Sequence, residues 1–413
     1  MKKSDFHFEL PPELIAQAPL PERSASRLLV ISEVALALAL VTTAGLMVKS
    51  LLRLQSQDLG ITRAPMLTFG VGVPPFVANG NDAVRRFQLE FLQKLRALPG
   101  VTAVSAINLL PIGATGFNGP VRRLDQLGAN EGVPVTEFRT VMDGYFDTMG
   151  IPMIAGRALD HRSNTTPVVV VNETLARRLY PNLAPADVVG QQVRLSGNNV
   201  PANEIIGVAA NVRSRRPDMV PDPEIYLSFE QSPSPTMSYV VRAQGDPAAL
   251  TGSIRAVLAQ MTPNVALAAV RTFDEVVSTS TRMSGLLSWL SVLFGVLAAA
   301  LAILGIYSVM SYTVAQRERE LAIRAAVGAN RSSLLSMVLR EGLMLSGAGI
   351  VAGAIIASVS SSVLRSLLYE VSATDPIVFA ASSIGLAAIA LAGYLIPAAR
   401  ASRVEPVVAL RSE

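Results

Sequence analysis

Four long apolar runs interrupt a chain that otherwise alternates between strand-like and helix-like patterns. A helix needs about 20 residues to cross a hydrocarbon core about 30 Å thick, and each run reaches that length. The pattern therefore predicts four membrane-spanning helices, at residues 28–48, 286–309, 343–364 and 377–396. Because the first run is longer than the apolar part of a signal peptide, about 7 to 15 residues, we expect an uncleaved signal anchor.

The arginines beside these runs predict the direction of the bundle, because basic residues in short loops stay on the cytoplasmic side. The loop after the second run and the C-terminal tail are both rich in arginine, at Arg317, Arg319, Arg324, Arg331, Arg400, Arg403 and Arg411. The hairpin between the third and fourth runs has only Arg365, beside Glu370 and Asp375. We therefore expect an inner-membrane protein of a bacterium with both termini in the cytoplasm and residues 49–283 in the periplasm.

The segment between the first two runs predicts an α+β domain of about 230 residues, with two subdomains and enough residues for its own core. Alternating or continuous apolar stretches predict strands, at residues 66–73, 101–109, 168–171, 192–195, 204–212, 224–229, 238–243 and 265–271. Apolar residues at helical spacing predict helices, at residues 82–98, 173–179 and 247–261. Asn172 stands where the N-cap of the second of these helices is expected.

Composition fits this mixed architecture and narrows the chemistry. Half of the residues are hydrophobic and 16% are charged, which is too apolar for an average soluble protein and too charged for one lying wholly in the membrane. A net charge of +4 without a long basic block gives no nucleic-acid signal. The chain has no cysteine and only two histidines, His7 and His161, so we expect no disulfide, metal site or cofactor.

No constellation of residues predicts an enzyme. Four acidic residues of the external segment have spacings that match no catalytic arrangement: Asp143, Asp147, Asp160 and Glu173. Three neighbouring arginines read as a solvated turn: Arg213, Arg215 and Arg216. The glycine-rich residues 111–119 lack the strand–glycine–lysine–helix context of a phosphate-binding loop, and no Walker-type glycine loop with Lys-Ser/Thr occurs anywhere in the sequence.

Polar and small residues within the predicted spans suggest contacts between helices. Glu33 lies in the first span, where a carboxylate is a candidate for a proton or substrate path. Its place near the cytoplasmic end favours snorkelling or a pair with Arg27. Gly349 and Gly353 form a small-xxx-small pair on the third span, which predicts close packing of that helix against a neighbour.

Residues 316–329, with the sequence QRERELAIRAAVGA, resemble the cytoplasmic segment of MacB/FtsX-type ABC transporter permeases. In that family a run of the form R-E-I-G-I-R-x-A-L-G-A makes the coupling helix that docks on the ATP-binding subunit. The resemblance implies that six residues serve ATPase coupling: Arg317, Glu320, Ile323, Arg324, Gly328 and Ala329. The charged residues suit a short helix on the membrane surface, which Gly328 can end before Asn330 caps the next helix.

Three other stretches resemble the same family and occur in the same order. They are residues 144–157 around GYFDTMGIP, residues 170–176 (VVNETLA), and the tail from PAARASRVEP at residue 397 to Arg411. The resemblance covers residues 28–413 and is nearest to the C-terminal half of the duplicated permeases. Since one four-span unit is present, it implies a second permease unit, as a homodimer or a paralogue, and a periplasmic adaptor.

The first 30 residues resemble a different protein, the opening of S-adenosylmethionine:tRNA ribosyltransferase-isomerase. The rest of that enzyme is missing, so we interpret this stretch as a fusion or gene-model artefact joined near the sequence RLLV. A tail rich in proline and this short is expected to be poorly ordered.

These observations predict a membrane helical bundle with a large α+β periplasmic domain inserted between helices 1 and 2. The expected order is tail, span, domain, span, coupling segment, span, hairpin, span and tail, at residues 1–27, 28–48, 49–283, 286–309, 310–342, 343–364, 365–376, 377–396 and 397–413. The function expected from the resemblance is efflux or extraction of substrate, driven by a separate ATPase. A regulatory membrane protein of the FtsX kind and, on the first 30 residues alone, a tRNA-modifying enzyme are the alternatives.

Overall fold

The computed structural model describes residues 23–62, 64–112, 116–126, 133–161, 166–195, 201–316, 323 and 330–401. It divides into two compact units. One is the external domain, residues 56–282, and the other is a helical unit made by the described residues up to Gln55 and from Met283 onward.

Nine helices and twelve strands are formed by the described residues. In chain order the helices are α1 (Arg23–Ser56), α2 (Asn81–Arg96), α3 (Tyr145–Met149), α4 (Glu173–Leu179), α5 (Pro185–Val188), α6 (Thr251–Met261), α7 (Phe273–Gln316), α8 (Arg331–Val363) and α9 (Pro376–Ala401). The strands are β1 (Met66–Gly72), β2 (Val101–Ile107), β3 (Asn118–Pro120), β4 (Arg122–Arg123), β5 (Val135–Val141), β6 (Met153–Gly156), β7 (Val168–Asn172), β8 (Gln192–Arg194), β9 (Asn203–Ala209), β10 (Glu224–Ser228), β11 (Thr236–Ala243) and β12 (Leu267–Thr272).

The strands of the external domain form one mixed sheet in the order β12-β1-β11-β2-β5-β10-β7-β9-β8-β4, with β3 paired to β5 and β6 to β9. Two pairs are parallel, β5 with β10 and β7 with β9. The two halves of the sheet meet at β2 and β5, which share a single register pair, Ile107 with Val141. The sheet is therefore continuous but narrowest at its middle.

Apolar side chains of the domain collect in three clusters. The first half of the sheet packs Phe69 and Tyr239 against α2 and α6, with Phe91 edge-on to both rings. The second half packs Val169 and Val171 of β7 against α4. Asn172 is the N-cap of α4, since its side chain accepts a hydrogen bond from Leu175 N at 2.9 Å. A third cluster around Tyr145 and neighbouring residues fills the centre.

Four helices of the described chain are long and apolar enough to cross a membrane: Arg27–Ser56, Phe273–Gln316, Leu339–Val363 and Pro376–Leu395. Each predicted span lies within or nearly coincides with one of these helices. A four-helix membrane unit with an α+β domain inserted between the first two helices was predicted from the sequence, and the structure confirms it. The span of α1 is the most enclosed, with 44% of its apolar window buried against 17% to 33% for the others.

The strand β5, which joins the two halves of the sheet, was not predicted from the sequence. Both of its faces are buried after Val135, and the buried residues include the polar Thr136, Glu137 and Arg139, so it lacks the apolar alternation by which strands are recognised. The short elements β3, β4, β6, α3 and α5 were also missed, because stretches of two to five residues give too little pattern. The predicted helix 247–261 is a 3₁₀ turn, Pro247–Leu250, followed by α6.

Candidate functional site

The candidate coupling residues Arg317, Glu320, Arg324, Gly328 and Ala329 lie outside the described residues. Ile323 is helical with about half of its side chain exposed. The flanking helices are described: α7 ends at Gln316 and α8 begins at Arg331. Asn330 occupies the predicted N-cap position of α8, but its side chain makes no capping hydrogen bond.

Gly349 and Gly353 place α8 in close contact with α1. A Cβ at Gly349 would lie 2.7 Å from Val34 Cβ, and a Cβ at Gly353 would lie 2.7 Å from the Ala35 carbonyl oxygen. Side chains cannot approach backbone at these distances, so only glycine permits this helix separation. In a membrane, where no hydrophobic force holds helices together, such close packing is a main source of specific association.

Glu33 extends from α1 to the backbone of α7. A Cβ at Gly305 would lie 1.6 Å from Glu33 Oε2, so the carboxyl group fills the space that a side chain at 305 would need. Glu33 Oε2 is buried and has no hydrogen-bond partner among the residues that the structure describes. The predicted pair of Glu33 with Arg27 is wrong: Arg27 Nη2 instead lies 2.6 Å from Glu341 Oε1 on α8. The third turn of α8 supplies the nearer anion, which sequence inspection of α1 alone does not show.

Other contacts of the bundle join α9 to α8 and α7. Tyr394 is fully buried, and its hydroxyl lies 2.6 Å from Ser346 Oγ. The ring stacks over Gly342, where a Cβ would come within 2.7 Å of it. A Cβ at Gly393 would lie 3.3 Å from Ile306 on α7. Small residues therefore mediate contacts at several helix pairs in this unit.

Asp375 connects the start of α9 to α1. Its Oδ1 accepts from the backbone N–H groups of Ile377 and Val378, at 3.1 and 3.2 Å, and its Oδ2 lies 2.6 Å from Lys49 Nζ. The hydrogen bond from Lys49, with the backbone donors, lowers the pKa of Asp375. The next residue of α1 is Ser50, whose Oγ accepts from Tyr369 N at 2.8 Å, so this end of α1 is fixed to the hairpin before α9.

The turn at residues 144–152 shows why the family-like stretch is rich in glycine. Gly144 and Gly150 flank α3 with φ of 80° and 66°, a region that L side chains avoid. A Cβ at Gly150 would also lie 2.0 Å from Thr62 Oγ1. Between these glycines, Tyr145 and Phe146 are buried in the central cluster with Tyr226, so the turn is a structural corner of the domain.

A buried ionic network lies beside that corner, on the missed strand β5. Arg139 Nε is 3.1 Å from Glu224 Oε1, and both side chains are 1% exposed. Tyr226 donates to Glu224 Oε2 at 2.8 Å, and burial followed by the charge of Glu224 raises the pKa of Tyr226. The chain brings these groups together across two parallel strands 85 residues apart.

A second carboxylate of β5, Glu137, corrects the interpretation of the arginine run as a solvated turn. Arg215 Nη2 lies 2.9 Å from Glu137 Oε1, and Arg215 Nε lies 2.9 Å from Asp222 Oδ2. Glu137 is 3% exposed, so Arg215 supplies the charge that lets it be buried. Arg216 does lie at the surface, where it pairs with Asp218.

The acidic residues considered as catalytic pair with different arginines, although Asp143 and Asp160 line one small cavity. Asp143 lies 3.7 Å from Arg96, Asp160 lies 3.3 Å from Arg157, and Glu173 pairs with Arg177 on α4. Within the described ranges no three His, Asp or Glu side chains are grouped to hold a metal ion. These carboxylates serve ion pairs at the domain surface.

Two family models match the chain. The model for the MacB-like periplasmic core domain matches residues 28–272, more than half of the chain, and the model for the FtsX-like permease C-terminal region matches residues 292–406. The fold and these matches define a multi-pass membrane permease. More narrowly, the chain belongs to the MacB/FtsX-type family of ABC transporter permeases.

Curated relatives carry related names. Over 271 residues the chain is 30% identical to the macrolide export ATP-binding/permease protein MacB of Nitrosomonas europaea, covering 60% of this chain and 38% of MacB. Over 268 residues it is 28% identical to the pyoverdine export ATP-binding/permease protein PvdT of Pseudomonas syringae pv. syringae, with the same coverage. The crystal structure of the periplasmic region of MacB from Actinobacillus actinomycetemcomitans aligns at 17% identity with a TM-score of 0.34, over 50% of this chain and 89% of that one. The chain thus spans well under half the length of these two relatives.

The beginning of the chain matches as its sequence indicated. It is 84% identical over 31 residues to S-adenosylmethionine:tRNA ribosyltransferase-isomerase of Xanthomonas euvesicatoria pv. vesicatoria, which covers 8% of this chain and 9% of that enzyme. Residues 1–22 of this stretch lie outside the described residues.

Proposed function

We propose that the chain is the permease subunit of an ABC transporter in the bacterial inner membrane, with both termini in the cytoplasm. A separate ATP-binding subunit docks on residues 317–329, and a second permease unit, a copy of this chain or a paralogue, completes the assembly. The proposal rests on the FtsX-like match, because residues 292–406 include that segment, the part of α7 from residue 292 to its end, and all of α8.

In this mechanism ATP-driven closure of the partner displaces the segment between α7 and α8. The two helices transmit that movement, and the external domain rearranges to extract or expel a substrate taken from the periplasm or the outer leaflet. The relatives named above are exporters with ATP-binding and permease parts, which supports efflux. A regulatory role of the FtsX kind is not favoured by those relatives.

Co-purification from membranes tests the proposal. The test variant reverses two charges of the coupling segment, Glu320→Arg with Arg324→Glu, and we expect it to lose an ATP-binding subunit and its stimulated ATP hydrolysis. The matched control reverses Glu90→Lys and Lys94→Glu on α2, an exposed acid–base pair with the same four-residue spacing and a 3.6 Å separation. The control should retain the partner.

Equal partner recovery with both variants would refute coupling through residues 317–329. Loss of the partner with both would show that the effect is not local to that segment. Deletion of residues 1–22 should leave insertion and partner binding intact, and loss of insertion would contradict the interpretation of that stretch as an added passenger.

A further inference from the structure

A cavity of about 690 Å³ lies between the beginnings of α1 and α8. Basic, hydroxyl and apolar side chains line it: Arg27, Ser333, Ser336, Met337, Arg340, Glu341, Met344 and Leu345. The cavity belongs to the helical unit, and Ile323, the described member of the proposed coupling residues, is not among the side chains that line it. The described lining therefore requires an explanation of its own.

The depth of the cavity follows from where the apolar spans begin. The span of α1 begins at Arg27 and that of α8 begins at Leu339, so Arg27 and Arg340 lie at the first turns of two adjacent spans. At 1.5 Å per residue, Ser333 lies about 10 Å before Arg340 along the helix, and Met344 about 6 Å beyond it. The cavity thus crosses the layer where lipid headgroups meet the hydrocarbon core.

The charges of the cavity leave one cation available. Arg27 Nη2 and Glu341 Oε1 are 2.6 Å apart and neutralise each other. Arg340 is exposed and makes no hydrogen bond or ion pair with other described residues. Among the described residues that line the cavity, Arg340 offers a guanidinium to an anion, and the only carboxylate is that of Glu341, which Arg27 engages.

We propose that this cavity binds the headgroup of an anionic phospholipid that carries no amine. The phosphate is held by Arg340, since guanidinium–phosphate hydrogen bonds are among the strongest in proteins. The first acyl carbons lie along Met344 and Leu345. Basic pockets between spans at headgroup depth are suited to such lipids, and the proposal depends neither on an ATPase partner nor on which leaflet is involved.

Lipid binding to the purified full chain in detergent tests this assignment. The probes are phosphatidylglycerol, phosphatidylethanolamine, phosphatidylcholine and inorganic phosphate, each followed by native mass spectrometry and by the shift in melting temperature. We expect phosphatidylglycerol to bind best and Arg340→Gln to weaken it about fivefold, as one arginine at a membrane surface contributes about 1 kcal/mol. The control Arg365→Gln removes the same charge just beyond the other end of α8 and should change nothing.

Three results would overturn the proposal. Equal loss with Arg340→Gln and Arg365→Gln would mean that total charge matters and the cavity does not. Equal binding of phosphatidylcholine or phosphatidylethanolamine would remove the selectivity for an anionic headgroup. Competition by inorganic phosphate at the same concentration as lipid would show a phosphate site without a lipid. Because Arg340 is exposed, the unliganded melting temperature of its variant should equal that of wild type, which verifies folding.

Discussion

The contact between Glu33 and Gly305 predicts that Gly305→Ala destabilises the bundle when residue 33 is glutamate and stabilises it when residue 33 is alanine. Gly305→Ala would place a Cβ 1.6 Å from Glu33 Oε2, 2.4 Å from its Cδ and 2.6 Å from its Oε1. All three atoms belong to the carboxyl group, so the Glu33 side chain must leave its position. In a Glu33→Ala background the same three contacts do not exist.

The magnitude follows from two opposing effects. Forcing an additional methyl group into a packed interface costs about 1–3 kcal/mol. Alanine in place of glycine within a helix stabilises the helix by up to about 1 kcal/mol. We therefore expect Gly305→Ala to destabilise the wild-type bundle by up to about 2 kcal/mol and to stabilise the Glu33→Ala variant by up to about 1 kcal/mol. The coupling energy of the double-mutant cycle is then about 1–3 kcal/mol.

Unfolding in mixed micelles measures this cycle, because the single tryptophan, Trp289, lies on α7 and reports on that helix. Gly347→Ala on α8 is the control, since a Cβ there meets nothing within 4 Å. Its effect should be independent of residue 33. If Gly305→Ala has the same effect with glutamate or alanine at position 33, the carboxyl group of Glu33 does not occupy the space beside Gly305.

Three further perturbations test other contacts. Gly353→Ala should lower the melting temperature, because its Cβ meets the backbone of α1, which cannot yield; an unchanged value would contradict that packing. Since Lys49 lowers the folded-state pKa of Asp375, the stability from this pair is present above the unfolded carboxyl pKa, about 3.9, and is lost as pH falls through the folded value. Melting curves below that pH should show a loss that Asp375→Asn abolishes. Glu224→Leu leaves Arg139 buried without an anion and should cost about 3–5 kcal/mol in chemical denaturation, whereas under 1 kcal/mol would refute the buried pair.

The membrane helices were predictable because the length of an apolar run is enough to identify a membrane span. A run of about 20 apolar residues has few alternatives to a membrane span, whatever its neighbours are. The helix α4 was predicted for a local reason as well, since Asn172 caps it within one turn. Asp375 could have been found in the same way, because an aspartate directly before Pro376 is a common beginning of a helix.

Contacts between distant residues were not predictable from local pattern. β5 carries Glu137 and Arg139 on a buried face, which is stable only because Arg215 and Glu224 arrive from 78 and 85 residues further along the chain. A short window of sequence around β5 contains only one residue of each ion pair, so its pattern resembles that of a polar loop. The contacts of Glu33 and Arg27 were wrongly predicted for the same reason, since their partners Gly305 and Glu341 lie hundreds of residues away in the sequence.

The pairing of β1 with β12 has a consequence for assembly of the whole chain. These are the first and last strands of the external domain, and their antiparallel register sets Leu67 opposite Thr272. A connection of about 216 residues between α1 and α7 would cost about 5 kcal/mol of closure entropy if it were a flexible loop. The interactions that fold the domain offset this entropy, and they do so without contributions from the membrane helices. Because β1 and β12 pair, the two ends of the domain lie close together. Insertions within the domain can therefore change its size without separating the ends that join α1 and α7.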